Sequence, residues 1–220
     1  MSNLQVRVIS AIVLIVLILV PTWYGGVPFR LVAVLIAGAV FYEWAEMARR
    51  GDGLKPLDFL ASVLMLAFLA ALAAGLPALA LLVLLAALVA IAAIFSAMRG
   101  AGAGRWDAPG IAYAGLSGFS LALLRGDDHS GLLAILFLFA VVWATDIFAY
   151  FVGRAVGGPK LAPSISPGKT RSGALGGAVG GVVAGVVLAA FAGAGNLAWL
   201  GLVALLLSAV SQAGDLFASW

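Results

Sequence analysis

Of the 220 residues, 65% are hydrophobic and 10% charged, and the mean hydropathy is +1.19. A water-soluble domain keeps roughly a quarter of its residues charged, so this composition excludes the soluble fold classes and makes a bilayer the solvent. Cysteine is absent and His129 is the single histidine, which removes disulfides, thiolate nucleophiles and Cys-based zinc or iron–sulfur sites, and leaves oxygen ligands suited to a hard cation such as Mg²⁺.

A hydrocarbon crossing takes roughly 20 apolar residues. Runs of that kind fall near 8–24, 28–48, 57–75, 76–98, 108–125, 131–152, 173–192 and 196–216. They predict an all-α, polytopic integral membrane protein of about eight transmembrane helices. The first run is too long for a signal peptide and has no small-residue cleavage site, so it is expected to be a retained helix. Residues 1–105 are expected to form a lipid-facing scaffold of helices one to four. Residues 106–220 carry helices five to eight and the polar loop 153–172. The seventh run opens with Gly173, Gly177, Gly181 and Gly185, a four-residue repeat that leaves one face nearly bare. Close helix packing of the small-xxx-small kind is the expected use of such a face, with a substrate groove as the alternative.

Basic residues set the orientation. One set of alternate segments holds Arg7; Arg49, Arg50 and Lys55; Arg99 and Arg105; and Arg154, Lys160, Lys169 and Arg171. The other set holds Arg30 and Arg125. Ten basic residues against two place both termini and the 153–172 loop in the cytoplasm, with the connections near Gly75 and Gly193 outside. The net charge of +3 therefore reads as topology and lipid contact, not nucleic-acid binding.

Of nine acidic residues, Asp58 falls at the very edge of an apolar run and four lie further inside: Glu43, Glu46, Asp146 and Asp215. A carboxylate in lipid is costly unless paired, hydrated or metal-bound, so each marks a potential site. Glu43 and Glu46 sit at a helix end before Arg49 and Arg50, where an i,i+4 pair between Glu46 and Arg50, or snorkelling to the interface, accounts for them. Asp146 and Asp215 are expected at similar depth near the same surface. Between them lies the stretch GRAVGGPKLAPSISPGKTRSG, with four cations, the hydroxyls of Ser164, Ser166, Thr170 and Ser172, several glycines and no acid. That composition suits phosphate binding at the start of the seventh helix. It suits equally well a basic loop against lipid head groups.

At these residues the sequence resembles the phosphatidate cytidylyltransferases, the CDP-diacylglycerol synthase family. Asp146, Ala149, Tyr150, Gly153 and Arg154 read as D-x-x-A-Y-x-x-G-R. Ser166, Pro167, Lys169 and Thr170 read as S-P-x-K-T, followed by Gly176 and Gly177, and Gly214-Asp215-Leu216 matches a G-D-L stretch. These ordered motifs cover the C-terminal third. The first 100 residues match only in hydropathy and in Tyr42-Glu43. Two departures stand out. Where family members often carry an aromatic residue and Glu after K-T, this chain has Arg171 and Ser172, so no role of that Glu carries over. The family also continues past G-D-L into a segment with an H-G-G element and further aspartates, whereas this sequence ends at Trp220. The resemblance thus implies a fragment or shortened member, lacking part of the metal site and turning over weakly or not at all.

The resemblance implies transfer of CMP from CTP to phosphatidic acid, giving CDP-diacylglycerol and pyrophosphate at the cytoplasmic side of a bacterial inner membrane. It implies Asp146, Asp215 and Lys169 as catalytic residues, Mg²⁺ as cofactor held by Asp146 and Asp215, and Arg154, Lys160, Ser166, Lys169, Thr170 and Arg171 as substrate-binding residues. CTP and bilayer phosphatidic acid are the implied partners, with room for a homodimer. Rival readings are a CTP-dependent polyprenol kinase, an archaeal-type CDP-lipid synthase and a secondary transporter. The last predicts an inverted repeat and acids near the midplane, and the sequence displays neither.

Overall fold

The computed structural model describes residues 3–48, 56–98 and 106–219. Eight helices occupy the eight apolar runs: α1 Asn3–Tyr24, α2 Gly26–Ala48, α3 Pro56–Ala74, α4 Ala78–Met98, α5 Asp107–Arg125, α6 His129–Val156, α7 Arg171–Phe191 and α8 Leu197–Ala218. The architecture is all-α with one addition. The stretch read as a loop between the sixth and seventh helices instead contains a two-stranded antiparallel sheet, β1 Lys160–Ala162 and β2 Ser166–Thr170. Among the described residues, five helices are long and apolar enough to cross a membrane, namely α2, α4, α6, α7 and α8. Large apolar side chains such as Leu35, Leu79, Leu175 and Phe191 stand on the outside, the arrangement of a protein whose solvent is lipid. Arg49, Arg50, Lys55, Arg99 and Arg105, the side chain of Arg7, and hence the expected Glu46–Arg50 pair lie outside the described residues.

The chain forms two compact units, Met1–Leu132 and Leu133–Trp220. In the first, α5 packs against α2, α3 and α4. Small residues on α5 permit this: a side chain at Gly115 would collide with Leu85, and one at Gly118 would press on Ala37. The space around them is filled by Phe68, Leu72, Met65 and Ile111. Arg125, at the close of α5, is only 3% exposed. Its guanidinium donates to the carbonyls of Thr22 (2.6 Å), Trp23 (3.1 Å), Gly126 (3.2 Å) and Asp128 (3.3 Å). These include carbonyls at the end of α1, where unpaired acceptors and the helix dipole both favour a cation. The group crosses the turn at Gly25, whose φ of +68° and closeness to the guanidinium leave no room for a Cβ.

In the second unit the glycine face of α7 lies on α6. A Cβ on Gly173 would come within 2.7 Å of the Ala149 carbonyl, one on Gly177 within 2.7 Å of the Thr145 carbonyl, and one on Gly185 within 2.8 Å of Val141. The repeat is therefore a packing seam, as expected. Approach this close brings backbone against backbone, which no rotamer change can relieve. Gly177→Leu is expected to destabilise the protein by about 1–3 kcal/mol, the usual cost of overpacking. Gly195→Ala, at a position with open space around it, is expected to be neutral. Thermal unfolding of the purified variants in detergent checks both.

Candidate active site

One face of the last turns of α6 presents Asp146, Ala149, Tyr150, Gly153 and Arg154, the i, i+3, i+4 spacing that aligns side chains along a helix. Gly157 and Gly158, with φ of +64° and +103°, turn the chain out of the helix and into β1. The strands pair with Lys160 opposite Thr170 and Ala162 opposite Ser166. A hydrogen bond from Ile165 N to Ala162 O (3.1 Å) closes the turn. Thr170 ends β2 and caps α7, its Oγ1 accepting from Gly173 N at 3.1 Å. Arg171 N donates to Pro159 O (3.0 Å), and Ser172 Oγ donates to Gly157 O. The hairpin is thus tied to both ends of its connection, so Lys160 and Lys169 project from a fixed backbone.

These elements and the end of α8 enclose a cavity of about 870 Å³. Its lining includes Asp146, Arg154, Lys160, Lys169, Thr170 and Asp215, six of the residues singled out from the sequence. Ser166 and Arg171 are not in the lining: Ser166 lies at the far end of the hairpin register, and Arg171 is an exposed first residue of α7. Lys169 Nζ forms a 2.6 Å ion pair with Asp215 Oδ2 and donates to Ser219 Oγ at 3.5 Å. Ser219 Oγ in turn donates to Asp215 O at 2.7 Å. The charge of Asp146 interacts with both Asp215 and Lys169. Arg154 Nη1 donates to Tyr150 Oη at 2.9 Å.

A chain of uncharged polar side chains runs from the cavity lining into the unit. Thr145 Oγ1 donates to Ser208 Oγ at 2.8 Å, both residues being fully buried. Gln212 Nε2 donates to Ser208 Oγ and to Ala174 O, each at 3.3 Å. This chain links α6, α8 and α7. Gln212 and Ser211 also line the cavity. The signal was present in the sequence as isolated uncharged polar residues in apolar runs.

Among the described residues no group of three or more His, Asp or Glu side chains is placed to hold a metal. Two carboxylates lining one cavity are nevertheless a fitting partial shell for Mg²⁺, which is commonly held by one or two carboxylates with waters and substrate phosphates supplying the rest. The hairpin cations Lys160 and Lys169, in the same lining, suit a polyanion.

The hairpin's attachment is testable. Thr170→Ala removes the cap of α7 and is expected to cost about 1 kcal/mol and to speed hydrogen exchange at the Gly173 amide. Thr170→Ser is expected to keep both near the parent values.

The cytidylyltransferase family matches residues 5–220 of the chain. Proteins from Brucella abortus (strain 2308) and Brucella suis biovar 1 (strain 1330), named phosphatidate cytidylyltransferase, are each 48% identical over 221 residues, covering 100% of this chain and 80% of theirs. A protein of the same name from Haemophilus influenzae is 54% identical over 37 residues, 17% of this chain and 13% of its own. No solved structure matches.

Proposed function

We propose, taking as premise that the chain belongs to the cytidylyltransferase family, that it transfers CMP from CTP to phosphatidate to form CDP-diacylglycerol and pyrophosphate. The observation that carries this reading is the meeting of Asp146 and Asp215 with Arg154, Lys160 and Lys169 on one cavity at the ends of apolar helices. Such a site is open to a water-borne polyanion and lies beside a lipid phase that delivers the second substrate. The 48% identical relatives carry the name of this activity.

The chemistry asks for little from a base. The phosphatidate phosphate is already an anionic nucleophile. An oxygen of it attacks the α-phosphorus of CTP, the bond from that phosphorus to the bridging oxygen breaks, and pyrophosphate leaves with the electron pair. Two polyanions must be brought together and the charge on the non-bridging and leaving oxygens must be countered. Lys169, Lys160 and Arg154 would bind the triphosphate, with Lys169 exchanging Asp215 for phosphate oxygen. Asp146 and Asp215 would hold Mg²⁺, which when bound supplies charge neutralisation at the phosphoryl oxygens. Thr170 keeps Lys169 and α7 in register.

Incorporation of label from the α-phosphate of CTP into chloroform-soluble lipid, with phosphatidate in mixed micelles, tests the reading. Lys169→Ala is expected to lower kcat/KM for CTP roughly tenfold or more, the scale of a lost charge-assisted contact. Asp146→Asn and Asp215→Asn are each expected to abolish Mg²⁺-dependent turnover, with the double variant little worse than either single one, because residues that act as a unit are non-additive. Activity that survives chelation of divalent metal, or modest additive losses, would refute the shared metal.

The site is further proposed to face the cytoplasm of a bacterial-type inner membrane, as the distribution of basic residues favours. Single cysteines at Ser164 and Gly193 are expected to be labelled from opposite sides of the membrane. Labelling of Ser164→Cys by an impermeant reagent on intact cells would reverse the orientation.

A further inference from the structure

Of the twelve basic residues, Arg30 and Arg125 are the two on the cation-poor set of segments. Arg125 is answered by four carbonyls. Arg30 is different: its Nε is buried with no hydrogen-bond partner. The side chain lies across the turn between α3 and α4, and Gly75, with φ of +74°, has no room for a Cβ because the Arg30 guanidinium occupies that place. The fold thus sets aside space for a cation that it does not pair.

Arg30 lines a cavity of about 180 Å³ in the first unit, where the starts of α2 and α4 meet the ends of α3 and α5. Phe29, Leu72, Leu81 and Phe119 supply apolar walls, and Asp127 supplies a carboxylate. Among the described residues no ion pair joins Arg30 to Asp127, although both reach the same cavity. A cation and an anion held apart on one cavity are complementary to a zwitterion whose opposite charges are separated. At roughly 30 Å³ per water, the space accommodates about six waters, the scale of a phosphate with a two-carbon amine. Helix ends that meet beside lipid-facing apolar side chains lie at head-group depth.

We propose that this cavity binds the head group of a zwitterionic phospholipid bearing a primary ammonium, its phosphate on Arg30 and its ammonium on Asp127. Arg30 contributes charge-assisted donors to the phosphate oxygens, and Asp127 accepts from the ammonium. A quaternary ammonium cannot donate in this way, and an anionic glycerol head group brings no cation for Asp127. The site therefore discriminates by chemistry at both ends. It is independent of the nucleotide site, whose lipid substrate is an anionic phosphomonoester.

Native mass spectrometry of the purified protein, titrated in turn with phosphatidylethanolamine, phosphatidylcholine and phosphatidylglycerol of matched acyl chains, tests this. One phosphatidylethanolamine is expected to be retained about tenfold more strongly than either other lipid. Arg30→Gln is expected to weaken retention of phosphatidylethanolamine roughly tenfold, whereas Arg30→Lys keeps most of it. Asp127 is exposed, so Asp127→Asn leaves folding intact, and this variant is expected to shift preference from phosphatidylethanolamine towards phosphatidylglycerol. Should Arg30→Gln fail to fold, Asp127→Asn decides alone. Equal retention of the three lipids by the parent chain, or an unchanged preference in Asp127→Asn, would overturn the proposal. The readout does not depend on CTP turnover, so it stands or falls apart from the proposed activity.

Discussion

Charge and hydrogen-bonding capacity placed in hydrocarbon must be met within a few ångströms, because there is no water to meet them. That constraint accounts for where the polar residues of this chain fall. Arg125 enters the interior only by gathering the loose carbonyls at a helix end. Thr145 and Ser208 enter as a bonded pair, extended by Gln212 to a backbone carbonyl of α7. Lys169 and Asp215 meet near the surface, where water shares the work.

The glycine seam of α7 is the means by which the second unit satisfies that constraint. With Gly177 against the Thr145 carbonyl and Gly173 against that of Ala149, α7 lies a side chain closer to α6 than two ordinary apolar helices would. Thr145 then reaches Ser208, and Gly153 approaches Thr170 Oγ1 closely enough that the cap, the hairpin and the cavity wall share one small space. Widening the seam by one methyl would part the buried hydroxyls as well as the helices. Packing and polar satisfaction are here the same contact.

Helices were legible because a bilayer demands long apolar runs, and all eight appear where hydropathy places them. The grouping of Asp146 with Asp215 and the basic stretch was legible for a related reason: a carboxylate inside an apolar run is costly, and once Glu43 and Glu46 are accounted for at their helix end these two remain. The hairpin was not legible. Three prolines and several glycines between Gly153 and Gly173 read as irregular chain, and the pairing of Lys160 with Thr170 is a tertiary event anchored by Ser172 on the Gly157 carbonyl. Hence Ser166, at the far end of the hairpin from Lys160 and Thr170, and Arg171, the exposed first residue of α7, fall outside the cavity lining. In the sequence Arg125 reads as a marker of topology, because its partners near residue 22 are too distant for local reading. Gln212 escaped because it carries no charge.

The site divides rigid parts from movable ones. The hairpin backbone, the α7 cap and the Thr145–Ser208 pair are fixed by buried or backbone hydrogen bonds. The cations are held lightly. Lys169 is 29% exposed and its partner Asp215 62%, so their ion pair contributes at most about 1 kcal/mol. Arg154 leans on a neutral phenol hydroxyl, a weaker partner than a phosphate oxygen. An arriving triphosphate therefore displaces little, and the backbone that carries these side chains need not reorganise. On the proposed assignment, release of Asp215 by Lys169 in the same exchange would free a carboxylate for the divalent cation as the nucleotide enters. Nucleotide and divalent metal are in this way expected to bind with positive cooperativity, each assisting the other through the Lys169–Asp215 ion pair that both must open.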